Sequence, residues 1–214
     1  VVLPKYRAEL AWWAAELADR IVPWYRGEIA EIWGFALPDP KVDDRPTERE
    51  NAAATLASIA NYYLHLLFLE ADQDYGRTLD IGAGPLLPGL HLPKTELWCL
   101  DPMFAQYRLL GFPVTDTRAV LLDCPAEDMW SSPAAQFDTI ISHNALDHVD
   151  DFERTVQEIE RVAKPDALIR FRIAIHSPTP TEPCELSTER VCKAFSRPMH
   201  MLDARYGEQL WSTP

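Results

Sequence analysis

At 214 residues the chain can build one sizeable hydrophobic core with an appendage. Its 47% hydrophobic, 25% charged and 10% aromatic residues are those of a folded domain and exclude disordered, fibrous and collagen-like structures. With 33 acidic against 20 basic residues the formal charge is -13, which repels a phosphate backbone, so duplex nucleic acid is not an expected partner.

No run approaches the roughly 20 apolar residues of a membrane helix, and VVLPKYRAEL lacks the basic start and apolar stretch of a signal peptide. The expectation is a cytoplasmic protein with no membrane partner, and the absence of an initiating methionine points to a trimmed N-terminus. Composition is silent on oligomeric state. The four cysteines, Cys99, Cys124, Cys184 and Cys192, form no Cys-x-x-Cys pair and have no histidine at zinc-site spacing, so buried free thiols are expected.

In chain order, Leu10, Trp13, Ala14, Leu17 and Ile21 recur with helical period and make one apolar stripe, which Pro23 interrupts before Trp24, Tyr25, Ile29, Ile32 and Trp33 begin another. A Pro-rich loop over 38–46 follows, and Thr47 with Glu50 has capping-box spacing ahead of a helix to about Glu70. Residues 1–76 thus read as a helical extension, with aromatic rings that either pack a core or cover a ligand cleft.

From Arg77 the texture changes to short apolar runs alternating with helical patterns, the sign of a mostly parallel sheet with helices on both faces. The predicted strands are 77–81, 96–101, 119–123, 137–142 and 167–175. Asp150 and Glu153 cap a helix ending at Lys164-Pro165, and a short helix near 186–196 precedes a terminal hairpin of 199–206 and 208–213. Residues 77–214 form the second unit of this division.

The most informative run is Thr78-Leu79-Asp80-Ile81-Gly82-Ala83-Gly84-Pro85, where an apolar strand enters two closely spaced glycines. Such a turn lays backbone amides against a nucleoside-bearing ligand, and Asp101, nineteen residues after Gly82, closes the next strand where a carboxylate meets ribose hydroxyls. A pyrophosphate dinucleotide calls for a third glycine where Leu87 stands and a long helix after it, whereas the prolines here allow only a turn or two.

The runs LDIGAGP, Asp101, Ala126-Glu127-Asp128-Met129 and FDTIISHNALDHVDD, followed by an amphipathic helix and Lys-Pro, together resemble class I S-adenosylmethionine-dependent methyltransferases, most of all the small-molecule and quinone-biosynthesis subgroup. The resemblance covers about residues 77–176. It implies a Rossmann-like α/β fold, S-adenosyl-L-methionine as cofactor and methyl transfer to a small molecule, oxygen slightly favoured over nitrogen or carbon. By the same resemblance Asp80 orients the methionine amino group, Gly82 and Gly84 floor the site, and Asp101 holds the ribose. Ala126 and Glu127 meet the adenine edge, and His143 and Asn144 line the cleft. Leu86 stands where the family often has another glycine, and Pro125 where an aspartate commonly precedes the adenine contact. An NAD(P)-dependent oxidoreductase and an inactive cofactor-binding partner subunit are the alternative readings.

For a hydroxyl acceptor, His143 and His148 are the candidate catalytic bases, since an imidazole takes a proton near neutral pH. The group His143, Asp147, His148, Asp150 and Asp151 lacks a metal spacing, and Asp150 and Asp151 are explained as helix-terminus residues, so no metal site is expected from sequence.

Overall fold

The computed structural model describes residues 4–20, 60, 62–110, 112, 114, 118–129, 132–179, 181–205 and 207–214. The second apolar stripe with Trp24, Tyr25 and Trp33, the loop at 38–46 and the capping box at Thr47 lie outside the described residues.

The elements are α1 (Pro4–Arg20), β1 (Arg77–Ile81), β2 (Glu96–Leu100), α2 (Phe104–Leu109), β3 (Val120–Leu122), β4 (Phe137–His143), α3 (Phe152–Val162), β5 (Ala163–Ala174), α4 (Thr188–Ala194), β6 (His200–Arg205) and β7 (Glu208–Ser212). Helical turns at 62–66 precede β1, and short 3-10 turns occupy Pro88–His91 and Ala126–Asp128. The turn after the glycines is therefore four residues long, as the prolines there dictate. The strands form one sheet in the order β3-β2-β1-β4-β5-β7-β6. β1 to β5 run parallel, while β7 pairs antiparallel with both β5 and β6.

Strand alternation divides the core between two faces. On β2, Leu100 joins Leu79, Ile81, Ile140 and the apolar side of α3, whereas Leu97 and Cys99 join Leu10, Ala14, Phe104 and Tyr107 from α1 and α2. Leu64 and Leu67 cover Ile141 of β4. On β5, Phe171 and Ile173 enter the first of these clusters. Their alternate neighbours Arg170 and Arg172 instead donate to the carbonyls of Leu66, Leu67 and Phe68, which ties the segment after the 62–66 turns to the sheet. Arg172 is buried and doubly paired, 3.0 Å from both Asp203 and Glu208 of the terminal hairpin.

Two expectations change. The α3 N-cap is Asp151, whose Oδ1 accepts the Arg154 amide at 2.9 Å, while Asp150 faces outward to Lys5 Nζ at 2.7 Å. Cys99 and Cys184 are buried free thiols, but Cys192 is exposed because α4 turns it away from the face where Val191 packs. Asp151→Ala is expected to lower the unfolding free energy in urea by about 1 kcal/mol. Asp150→Ala, which removes only a surface ion pair, should cost less than about 0.5 kcal/mol.

Candidate active site

The strand order reverses between β1 and β4, and a parallel sheet opens a crevice at the carboxyl ends of its strands at such a point. Here the crevice is floored by the turn after β1. Gly82 and Gly84 adopt left-handed φ of 65° and 58°, which a side chain would strain. A Cβ on Gly82 would also collide with that of Ala145, so the turn lies directly against the loop after β4. The amides of Gly82 and Ala83 both donate to Leu100 O, at 2.8 and 3.2 Å.

Asp101 locks this arrangement. Its Oδ2 accepts the Gly84 amide at 3.0 Å and its Oδ1 the Met103 amide at 2.8 Å. Asp80, one strand over, accepts the Gly89 amide at 3.2 Å. Among the described residues no cationic side chain pairs with either carboxylate. Burial therefore dominates: Asp80 is pushed up to about 7 against the pull of the Gly89 amide. Asp101 is also pushed up to about 7, by burial first, with its two amide donors opposing and Glu9 and Asp123 adding like charge.

A cavity of about 960 Å³ starts at these groups and reaches the aromatic residues of α1 and the 62–66 turns. Asp80, Gly82, Gly84, Asp101, Ala126, Glu127, His143, Asn144 and His148 all line it, so the structure brings every sequence-predicted site residue to one place. Their states differ. Ala126 is buried in its 3-10 turn, and Glu127 already accepts the amides of Asp150 and Asp151 through Oε1, at 2.6 and 3.2 Å. Its carboxylate therefore helps hold the start of α3. His143, at the end of β4, stacks on Tyr63 with centroids 4.4 Å apart, and its Nε2 is buried without a hydrogen-bond partner. Burial, reinforced by Arg172, lowers its pKa to about 4, so its ring is neutral at physiological pH.

His148 sits among Glu9, Asp147 and Glu182. Burial disfavours its charged form, but the carboxylates outweigh it and its pKa is raised. Trp13 packs edge-on against Tyr107 and Phe112 and also lines the cavity beside the exposed Trp12, so the one ring joins core and cleft. Glu9, Tyr63, Arg172 and Glu182 also line the cavity and carried no signal in the sequence, because each arrives from a segment distant in the chain.

Residues 79–171 match the methyltransferase domain family. Similar solved structures include the YcgJ protein of Bacillus subtilis, 18% identical, with 70% of each chain covered and a TM-score of 0.54. A SAM-dependent methyltransferase of Aquifex aeolicus is 14% identical over 75% of this chain and 97% of that one, TM-score 0.52. One of Thermotoga maritima is 15% identical over 75% and 90%, TM-score 0.52. At these identities the likeness concerns the fold. No curated protein matches the chain.

The raised carboxylates have a thermodynamic consequence in the ligand-free protein. Each group binds its proton more tightly folded than unfolded, so its contribution to stability falls as pH rises from about 4 to about 7 and is constant above that. Asp101→Asn abolishes one such titration. The difference in Tm between variant and wild type should move in the variant's favour between pH 5 and pH 8, as read by calorimetry.

Proposed function

We propose that the chain, through its domain at residues 79–171, is a class I S-adenosylmethionine-dependent methyltransferase that methylates a small molecule at oxygen in preference to nitrogen or carbon. The family match selects methyl transfer over NAD(P)-dependent oxidation. When bound, S-adenosylmethionine supplies a methyl group already activated on a sulfonium.

The site suits that cofactor. Two buried carboxylates that pair with no cation among the described residues fit a ligand bearing an ammonium and a vicinal diol. Asp80 takes the methionine amino group, directly or through water, Asp101 takes the ribose hydroxyls, and the Gly82 and Gly84 backbone underlies both. Ala126, with Glu127 beside it, meets the adenine edge through main-chain groups, since the Glu127 side chain is engaged at the start of α3.

The observation that carries the acceptor reading is that one cavity of about 960 Å³ holds both the carboxylate end and an aromatic end. That volume admits two small reactants side by side, and the remaining work is to align them and exclude water. We assign α1 the role of a lid over this cleft: Leu10 and Ala14 anchor it, and Trp12 faces the acceptor space. His143, neutral and with a free Nε2, is the group that accepts a hydrogen bond from an acceptor hydroxyl and turns its oxygen lone pair toward the methyl group.

Isothermal titration tests the cofactor half. S-adenosylhomocysteine should bind with micromolar affinity and NAD(H) or NADP(H) not at all, and the opposite pattern overturns the reading. Affinity should rise from pH 6 to pH 8 as Asp80 and Asp101 ionise, with proton release seen as a dependence on buffer ionisation enthalpy. For the acceptor half, His143→Phe should keep S-adenosylhomocysteine affinity while methylation of alcohols or phenols drops about 10²-fold or more.

A further inference from the structure

The methyl-transfer reading leaves a group of charged side chains beside the cavity unused. Asp147 and His148 follow β4, while His176 and Glu182 lie on the segment after β5. Cys184 N donates to Asp147 O at 3.1 Å and fastens the second segment to the first. Asp147 is fully buried, at 0% exposure, yet its Oδ1 has no hydrogen-bond partner, and neither do the two buried ring nitrogens of His148.

The spacings are informative. His176 Nε2 is 3.3 Å from Asp147 Oδ2 and 3.5 Å from Glu182 Oε2. His148 Nε2 is 3.8 Å from Glu182 Oε1, and its Nδ1 is 3.4 Å from Glu9 Oε2. His176 Nε2 and Asp147 Oδ2 form a hydrogen bond at 3.3 Å, but this and the other three separations are longer than the about 2.7–2.9 Å of a charge-assisted N–H···O bond. A separation of about 3.3 Å is instead the edge of a tetrahedron whose centre lies about 2.0–2.1 Å from nitrogen and oxygen donors. One donor atom from each of Asp147, His148 and Glu182 lies within 4.8 Å of the others.

His176 adds a second-shell argument. Its Nδ1 is 2.7 Å from Ser177 O, which can only accept, so Nδ1 carries a proton and Nε2 is the position left to face the two carboxylates.

We propose that Asp147, His148 and Glu182 ligate a divalent cation, with His176 holding Asp147 in place through their hydrogen bond. A mixed imidazole and carboxylate set favours Zn²⁺, Mn²⁺ or Co²⁺ over Ca²⁺ and Mg²⁺, which take oxygen ligands. His148 and Glu182 line the cavity assigned to the acceptor, so the cation faces that space and there polarises an acceptor oxygen. This use of the ion rests on the methyl-transfer reading; its binding does not. Sequence spacing gave no such site because Glu182 lies some 35 residues beyond Asp147.

The test is titration of the full chain, stripped with EDTA and dialysed, with Zn²⁺ and separately with Mn²⁺. One ion per chain should bind, and Co²⁺ should give the visible absorption of a four-coordinate site. Asp147→Asn and Glu182→Gln should each weaken binding at least tenfold, and His91→Gln, outside the cluster, should not. Glu182 sits on a loop, so its variant decides the matter if Asp147→Asn fails to fold. Absence of Zn²⁺ and Mn²⁺ uptake at about millimolar concentration, or wild-type affinity in the Glu182→Gln protein, overturns the site and leaves an ion-pair cluster only. S-adenosylhomocysteine titrated into the same samples separates the two readings: nucleoside binding without metal uptake removes the cation alone, and metal uptake without nucleoside binding removes the methyl-transfer assignment alone.

Discussion

The carboxylate of Asp101 is the joint on which the site is assembled. It closes β2, receives the amide of Gly84 from the turn after β1, and receives the Met103 amide that opens α2. One side chain thus fixes the distance between two strand ends and the direction of the helix between β2 and β3. The two glycines supply the left-handed turn that brings the Gly84 amide within reach. With the turn in place, Ala145 can close over Gly82, and the loop after β4 is set against the same crevice.

That joint is electrostatically costly. Two carboxylates are buried at the tips of β1 and β2 in a chain of formal charge -13, and among the described residues no cation pairs with either. Basic residues that could have neutralised them are used elsewhere: Arg172 is held by Asp203 and Glu208, and Lys5 by Asp150. The positive charge the site lacks is what a sulfonium and an ammonium bring. In the proposed function binding and ionisation of Asp80 and Asp101 are thereby coupled.

Much of the fold could be read in advance because β1, β2, β4 and β5 are apolar runs bounded by glycine, aspartate or proline, and their alternation survives folding. The positions of Asp80, Asp101 and the glycines were legible for the same reason, since each is set at the end of one apolar strand. What stayed hidden came from convergence across the chain. Glu9 approaches from α1, Tyr63 from the 62–66 turns, His176 and Glu182 from beyond β5. Local spacing also placed the α3 cap one residue early, because Asp150 and Asp151 both satisfy the motif and only the packed structure commits Asp150 to Lys5. In β5, Arg170 and Arg172 read as ordinary alternation, but their guanidinium groups reach back to hold the segment carrying Tyr63.

The edge of Trp13 comes to 3.7 Å from where a Cβ on Gly84 would stand, so α1 rests on the very turn that floors the nucleoside end. The same helix sends Glu9 toward His148 and is secured by Lys5 and Asp150. In the proposed function α1 roofs both reactants, so loading and discharge become a shared event, with departure of the spent nucleoside tied to release of the methylated product.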